Sequence, residues 1–421
     1  MSDYGLVLSS DGSKTFFELG MIRAFKEIGA EYSTVVGTMY GMINACLFAL
    51  QNNDAALSFW NEAIRENVFG IISIVGKKYE NEWCNLDHKA FRKEYSKFIQ
   101  KNNTIAPLKK ILEKYIDEKA VRRADIQVGI NTINSNLEYE TLMVDEIPRG
   151  KLMQYMLFGL LFPQLALLDK GQINYGQDML NFLYEFGYDE MIISEESIES
   201  VPKGKKAIYV KSSEFLGLED FSLDAMNKNI KNGYLDTLCS FNMVKGKYYY
   251  IIDDSLNPQY TEFKEGVGKS FDNSLDDLLK KLLQADTINK FTVETVVRKF
   301  LNYTSFKGED NIYLSMVENL AKILEVENKE KYTYTSLINR IYNNANKNIN
   351  KNLEIIKDKT YIKKMISYTP TSIRINKNIF MQYFLILVSA NPKSYDKLDK
   401  LFNELPKNIV LAVVALVYIL Y

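Results

Sequence analysis

An α/β fold with parallel strands, followed by a helical C-terminal domain, is predicted by three observations. The first sixty residues alternate between short buried apolar runs and helical stretches, the pattern that builds a parallel sheet. Hydrophobic residues make up 47% of the chain, enough for a sizeable core. Past about residue 270 the apolar spacing becomes helical: Leu275, Leu278, Leu279, Leu282 and Leu283 share one face, and glycine becomes scarce. At 421 residues the chain is long enough for two domains.

The first strand is read at Tyr4, Gly5, Leu6, Val7, Leu8 and Ser9, and Asp11-Gly12-Ser13-Lys14 makes the turn after it. A helix is predicted through Glu18-Leu19-Gly20-Met21-Ile22-Arg23-Ala24-Phe25, and a second strand at Ser33-Thr34-Val35-Val36. Met42 to Leu50 reads as a buried helix, and residues 61–120 as mainly helical. Residues 126–133 alternate like a strand, and residues 137–144 pair with them through the turn Asn134-Ser135-Asn136. A helix is expected at residues 153–161, ended by Pro163. Further strands are expected before Ile193, after a turn at Gly187, and at residues 207–210; residues 194–206 read as a polar loop. No internal repeat is visible, and the Asn/Lys-rich stretch 343–352 reads as a solvated helix face or a loop.

The most informative run is Gly37-Thr38-Met39-Tyr40-Gly41. It sits between a strand and a helix, where an ester-cleaving serine enzyme carries Gly-x-Ser-x-Gly on a sharp turn. The central residue here is methionine, whose thioether has no proton to lose and forms no acyl-enzyme. Thr38 and Tyr40 carry hydroxyls, but no base is evident beside them.

These motifs resemble the patatin-like phospholipase family. The resemblance is carried by Gly5-Leu6-Val7-Leu8-Ser9 with Glu18-Leu19-Gly20, by Val35 through Ala45, and by Phe158 to Pro163. Gly187-Tyr188-Asp189-Glu190-Met191-Ile192 is similar to the strand after the catalytic loop. Asn232-Gly233-Tyr234-Leu235-Asp236-Thr237 with Gly246-Lys247-Tyr248-Tyr249 is similar to a tail of bacterial members. The family implies a three-layer fold with a mostly parallel central sheet over residues 1–255, leaving 256–421 as the helical domain. It also implies a serine–aspartate dyad that hydrolyses lipid acyl esters.

Each of the three parts that the family's chemistry implies departs from pattern here. The glycine-rich oxyanion turn aligns with Ser10-Asp11-Gly12-Ser13-Lys14-Thr15, where only Gly12 and Lys14 keep the expected types. Side chains at Ser10, Asp11 and Thr15 restrict φ, and the Asp11 carboxylate repels an oxyanion. The nucleophile position is Met39. The Asp-Gly of the aspartate loop aligns with Tyr175-Gly176, with Asp169 and Asp178 as the carboxylates nearby. Gly12, Ser13 and Lys14 remain candidates for binding an anion at a helix start, against a solvated surface lysine.

Net charge is −1, which argues against nucleic-acid binding. Residues 345–421 hold twelve Lys/Arg and five Asp/Glu, so this part carries +7 and the rest −8. Three scattered cysteines, Cys46, Cys84 and Cys239, form no disulfide or zinc pattern and suit a reducing cytoplasm. No signal peptide is read at the start. The single histidine, His88, lies beside Asp87 and one helical turn from Cys84; without an elbow or glycine turn around them, a structural role is expected. Asp272, Asp276 and Asp277 lack the glycine and terminal Glu of a calcium loop. No metal and no cofactor are expected. Residues 409–421 are uninterrupted apolar sequence, shorter than the ~20 residues of a membrane span. They read as a buried core helix, or as a tail that dips into a membrane or binds a partner, with the surrounding +7 favouring anionic lipid. Residues 379–388 form a second apolar run.

The expectation is therefore a cytoplasmic pseudoenzyme, peripheral to a membrane in one reading, that acts by binding lipid, a membrane surface or a protein. The alternatives are an acyl hydrolase with relocated residues, using Ser9, Ser10 or Ser13 with Asp11, and a regulatory subunit of an active partner.

Overall fold

A computed structural model of the chain describes residues 3–9, 12–83, 86, 88–101, 103–133, 139–162, 175–194, 200–214, 217, 219–246, 248–252, 257–269, 310–347, 352, 354 and 407–420. The chain divides into two compact units, Met1–Phe241 and Asn242–Tyr421. The sequence places the boundary near residue 255; the difference is a short two-stranded hairpin, β7 (Val244–Lys245) with β8 (Ile251–Ile252), which belongs to the second unit.

The first unit is built on a six-stranded sheet in the order β4-β3-β2-β1-β5-β6. Its strands are β1 (Asp3–Leu8), β2 (Glu31–Thr38), β3 (Gln127–Ile133), β4 (Tyr139–Met143), β5 (Glu190–Ile193) and β6 (Lys206–Tyr209). All pairs are parallel except β3 with β4, which run antiparallel with Ile133 opposite Tyr139. The pleat sends alternate residues to opposite faces. Leu6, Leu8, Val35 and Ile192 enter the larger core, while Val7, Val36, Met191 and Ile193 enter a second core on the other face. Helices therefore cover both faces of a mostly parallel sheet, the three-layer arrangement expected from the sequence.

On the larger face lie α1 (Thr15–Ile28), α2 (Tyr40–Ala49), α3 (Asn53–Arg65), α4 (Val68–Trp83) and α5 (His88–Lys101). They are followed by α6 (Ala106–Tyr115), the short α7 (Glu118–Val121) and α8 (Leu152–Leu161). On the other face Met179, Leu180 and Leu183 of α9 (Tyr175–Phe186) pack on the sheet. The last helix of this unit, α10 (Leu223–Ser240), is capped by Ser222, whose hydroxyl accepts from Ala225 N–H at 3.1 Å. It crosses α1 at two glycines. A Cβ on Gly20 would meet Ile230 O at 2.1 Å, and one on Gly233 would meet Phe17 O at 1.9 Å. That closeness is open only to residues without a side chain.

The second unit holds the β7–β8 hairpin with α11 (Pro258–Lys269), α12 (Asp310–Ile323), α13 (Tyr334–Asn346) and α14 (Lys407–Leu420). Glu318 is fully buried and accepts the N–H groups of Tyr248 and Tyr249 at 3.0 and 2.9 Å. The apolar C-terminal run is a helix packed mainly against α12, with Ile409, Leu411, Ala412, Ala415 and Leu416 buried. The buried-helix alternative is thus the one the structure contains. No described helix is long and apolar enough to cross a membrane. The stretch 343–352 begins as the end of α13. Residues 275–283 and 379–388, and the carboxylates Asp272, Asp276 and Asp277, lie outside the described residues.

Candidate functional site

The run Gly37 to Gly41 makes the sharp strand-to-helix turn expected from its sequence. β2 ends at Thr38, α2 starts at Tyr40, and Met39 alone forms the hinge, at φ 48° and ψ −120°. A non-glycine residue there carries strain of about 1–3 kcal/mol. The flanking glycines make the turn sterically feasible. A Cβ on Gly37 would stand 2.2 Å from Gly41 O, and one on Gly41 would stand 2.2 Å from Leu8 O. Both glycines of the motif thus serve a close approach of β1, β2 and α2, and that approach is intact.

The side chain at the apex of the turn is a thioether, with no proton to give or take. Met39 is half-buried, and its carbonyl accepts Met42 N–H at 3.2 Å. Thr38 is buried and donates its hydroxyl to Asn131 Oδ1 at 3.4 Å, an amide oxygen that is not a general base. Tyr40 is buried in an aromatic cluster with Phe69 at 5.4 Å, Phe221 at 6.1 Å and Trp60 at 6.3 Å between ring centroids. Cys46 on α2 is fully buried, and burial pushes its thiol up to about 12, so it stays protonated at neutral pH.

The turn after β1 is a single 3-10 turn, Gly12–Lys14, with Gly12 at φ 56°. Ser13 is fully buried; its hydroxyl donates to Gly217 O and its carbonyl accepts Asn229 Nδ2 at 3.1 Å. Lys14 is partly exposed and stands at the N-cap of α1 with no side-chain cap bond. Ser9 is buried and donates its hydroxyl to Ser194 O at 3.0 Å. In these two contacts the acceptors are backbone carbonyls, whereas a relocated nucleophile needs a base. Ser10 and Asp11 lie outside the described residues.

Tyr175 and Gly176 form the first turn of α9 rather than a loop ahead of it, and Asp178 is exposed on that helix. Asp169, like Pro163, lies outside the described residues, as do Cys84 and Asp87; His88 starts α5. Among the described residues no group of three or more His, Cys, Asp or Glu side chains could hold a metal ion.

Beneath the turns is a buried polar network that sequence reasoning did not foresee. Glu18 is fully buried and accepts Ser194 Oγ–H at 2.8 Å and Asn44 Nδ2 at 2.8 Å. Asn44 Nδ2 also reaches Thr15 O and Oγ1 at 2.9 Å, and its Oδ1 accepts Trp60 Nε1–H at 2.8 Å. Ser9 N–H donates to Ser194 Oγ at 3.2 Å. This hub ties the ends of β1 and β5 to α1, α2 and α3. The signal was a lone glutamate among Phe16, Phe17 and Leu19. Ser194 and Glu18 form a hydroxyl–carboxylate pair, and both are 0% exposed, each satisfying the other inside the core.

Residues 6–170 match the family described as Patatin-like phospholipase. No curated protein matches the chain. Among solved structures, VipD from Legionella pneumophila is 11% identical, with 100% of this chain and 92% of that chain covered and a TM-score of 0.30. The type III effector protein ExoU is 11% identical, with 99% and 93% covered and a TM-score of 0.27. Full-length ExoU in complex with SpcU, from Pseudomonas aeruginosa, is 12% identical, with 97% and 86% covered and a TM-score of 0.26. The part of the chain that is similar to the patatin-like phospholipase family is thus residues 6–170.

Proposed function

We propose that this chain is a non-hydrolysing member of its family that acts by binding a lipid, a membrane surface or a protein partner. The observation that supports this reading is Met39 at φ 48°, at the apex of an otherwise intact strand-to-helix turn. A strained methionine there keeps the scaffold while offering no nucleophile. Loss of a catalytic serine typically costs several orders of magnitude in rate. Attachment to lipid through α14 requires its buried residues Ile409, Leu411, Ala412, Ala415 and Leu416 to leave their own unit. A regulatory role beside an active relative remains within the same reading.

The alternative, an acyl hydrolase with relocated residues, has the Ser194–Glu18 contact in its favour, and the full burial of both counts against it. The test is hydrolysis of a short-chain chromogenic ester and of phospholipid vesicles by the purified chain, with vesicle cosedimentation alongside. The reading expects a background rate on both substrates. A clear rate abolished by changing one residue would overturn it.

A further inference from the structure

A cavity of about 410 Å³, away from the glycine turns, is lined by Tyr79, Glu82 and Trp83 of α4, Glu94, Lys97 and Phe98 of α5, and Asn103. Its volume falls in the range of small-molecule sites. The two helices contribute triplets at the same spacing, i, i+3 and i+4, so each presents one continuous face. Tyr79 meets Phe98 at 4.7 Å and Trp83 at 4.8 Å between centroids, and Trp83 meets Phe98 at 5.5 Å. The wall these rings form is apolar and aromatic, with Trp83 and Phe98 buried and Tyr79 partly exposed.

The charges are unequal. Lys97 pairs with Glu94 at 2.7 Å and neutralises it. Glu82 is exposed and makes no hydrogen bond or ion pair among the described residues. Lys78 Nζ, from the neighbouring residue, stands 5.0 Å from the Tyr79 ring centroid, within the range of a cation–π contact. Among the side chains that line the cavity, two carboxylates against one ammonium leave one negative charge beside aromatic surface, which suits a cation with an apolar skin.

We propose that this cavity binds an N-alkylated ammonium group, with Glu82 as its counter-charge and the Tyr79, Trp83 and Phe98 rings against its alkyl groups. The proposal does not depend on the reading of the glycine turns.

The test is a titration of the full chain with tetramethylammonium and choline chloride, followed by tryptophan fluorescence. Trp83 is one of two tryptophans, and the other, Trp60, is 1% exposed in the core. Ammonium chloride at equal ionic strength is the reference. Saturable binding of both alkylated cations is expected, weakened about threefold in Glu82→Gln. Lys97→Met should strengthen it by a similar factor, because Glu94 then adds its charge; a merely structural effect would not give opposite signs. Equal responses to ammonium chloride, or unchanged binding in Glu82→Gln, would overturn the proposal. Phosphatidylcholine vesicles displaced by free choline would identify a lipid headgroup as the source; choline binding without such displacement would identify a soluble amine.

Discussion

Replacing Gly41 with alanine tests whether the turn is assembled as described. The new Cβ would lie 2.2 Å from Leu8 O, whereas real Cβ atoms essentially never approach closer than 3.0 Å. Backbone must therefore move by about 0.8 Å, and both partners are main chain, in β1 and α2, with no flexible side chain to yield. Overpacking of this kind costs about 1–3 kcal/mol where side chains can adjust, so about 3 kcal/mol or more is expected here. For a unit of this size that lowers Tm by about 6–12 °C. Gly29→Ala is the internal comparison. Gly29 sits at φ 68° with nothing within 4 Å of a Cβ, so its cost is the left-handed backbone alone, about 1 kcal/mol. Urea unfolding followed by far-ultraviolet circular dichroism reads both variants. A Gly41→Ala loss no larger than that of Gly29→Ala would refute the close approach and the elbow built on it.

Two further outcomes follow from buried and half-buried carboxylates. Glu18→Ala should cost about 3 kcal/mol, because Ser194 and Asn44 lose a buried acceptor; a loss below about 1 kcal/mol in urea would show that the hub is not formed. Burial pushes the Glu118 carboxyl up, but the Arg122 guanidinium and the N–H groups of Gly150 and Leu152 outweigh it and leave it below its ordinary value. A depressed folded value means the stabilisation is complete above the unfolded carboxylate range, about pH 4.3, and is lost as pH falls through the folded value. The stability difference between the natural chain and Glu118→Gln should therefore be largest near neutrality and shrink below about pH 4. A difference that stays constant from pH 7 to pH 3 would contradict that linkage.

Much of the fold was legible because buried parallel strands leave a strong local trace. Leu6-Val7-Leu8 and Val35-Val36 are covered on both faces, so they read as unbroken apolar runs between turn residues. The turn at Gly187, with φ 114°, was visible in its glycine, and the antiparallel β3–β4 pairing in two strand-like stretches joined by a short polar turn. α10 was not read as a helix. Asn227, Lys228, Asn229, Lys231 and Asn232 give it a polar sequence, and what fixes it is Gly233 against Phe17, a contact between residues far apart in the chain. The aspartate loop was placed by pattern at Tyr175-Gly176, residues that instead begin α9, since the local sequence is also a good helix start. The elbow was legible in its two glycines and in the identity of Met39; the strain at Met39 was implied only by the motif. The Glu18 hub left only the trace of one glutamate among apolar residues; its partners were not legible, because Ser194 reaches Glu18 from 176 residues away and no local pattern records that meeting.

The most direct test of the central claim is intact-mass analysis of the natural chain after exposure to a serine-reactive fluorophosphonate. With methionine at the apex of the turn, and the Ser9 and Ser13 hydroxyls bonded to backbone carbonyls, the chain should remain at its native mass. A stoichiometric adduct on one serine, whose replacement also abolishes ester hydrolysis, would contradict the account.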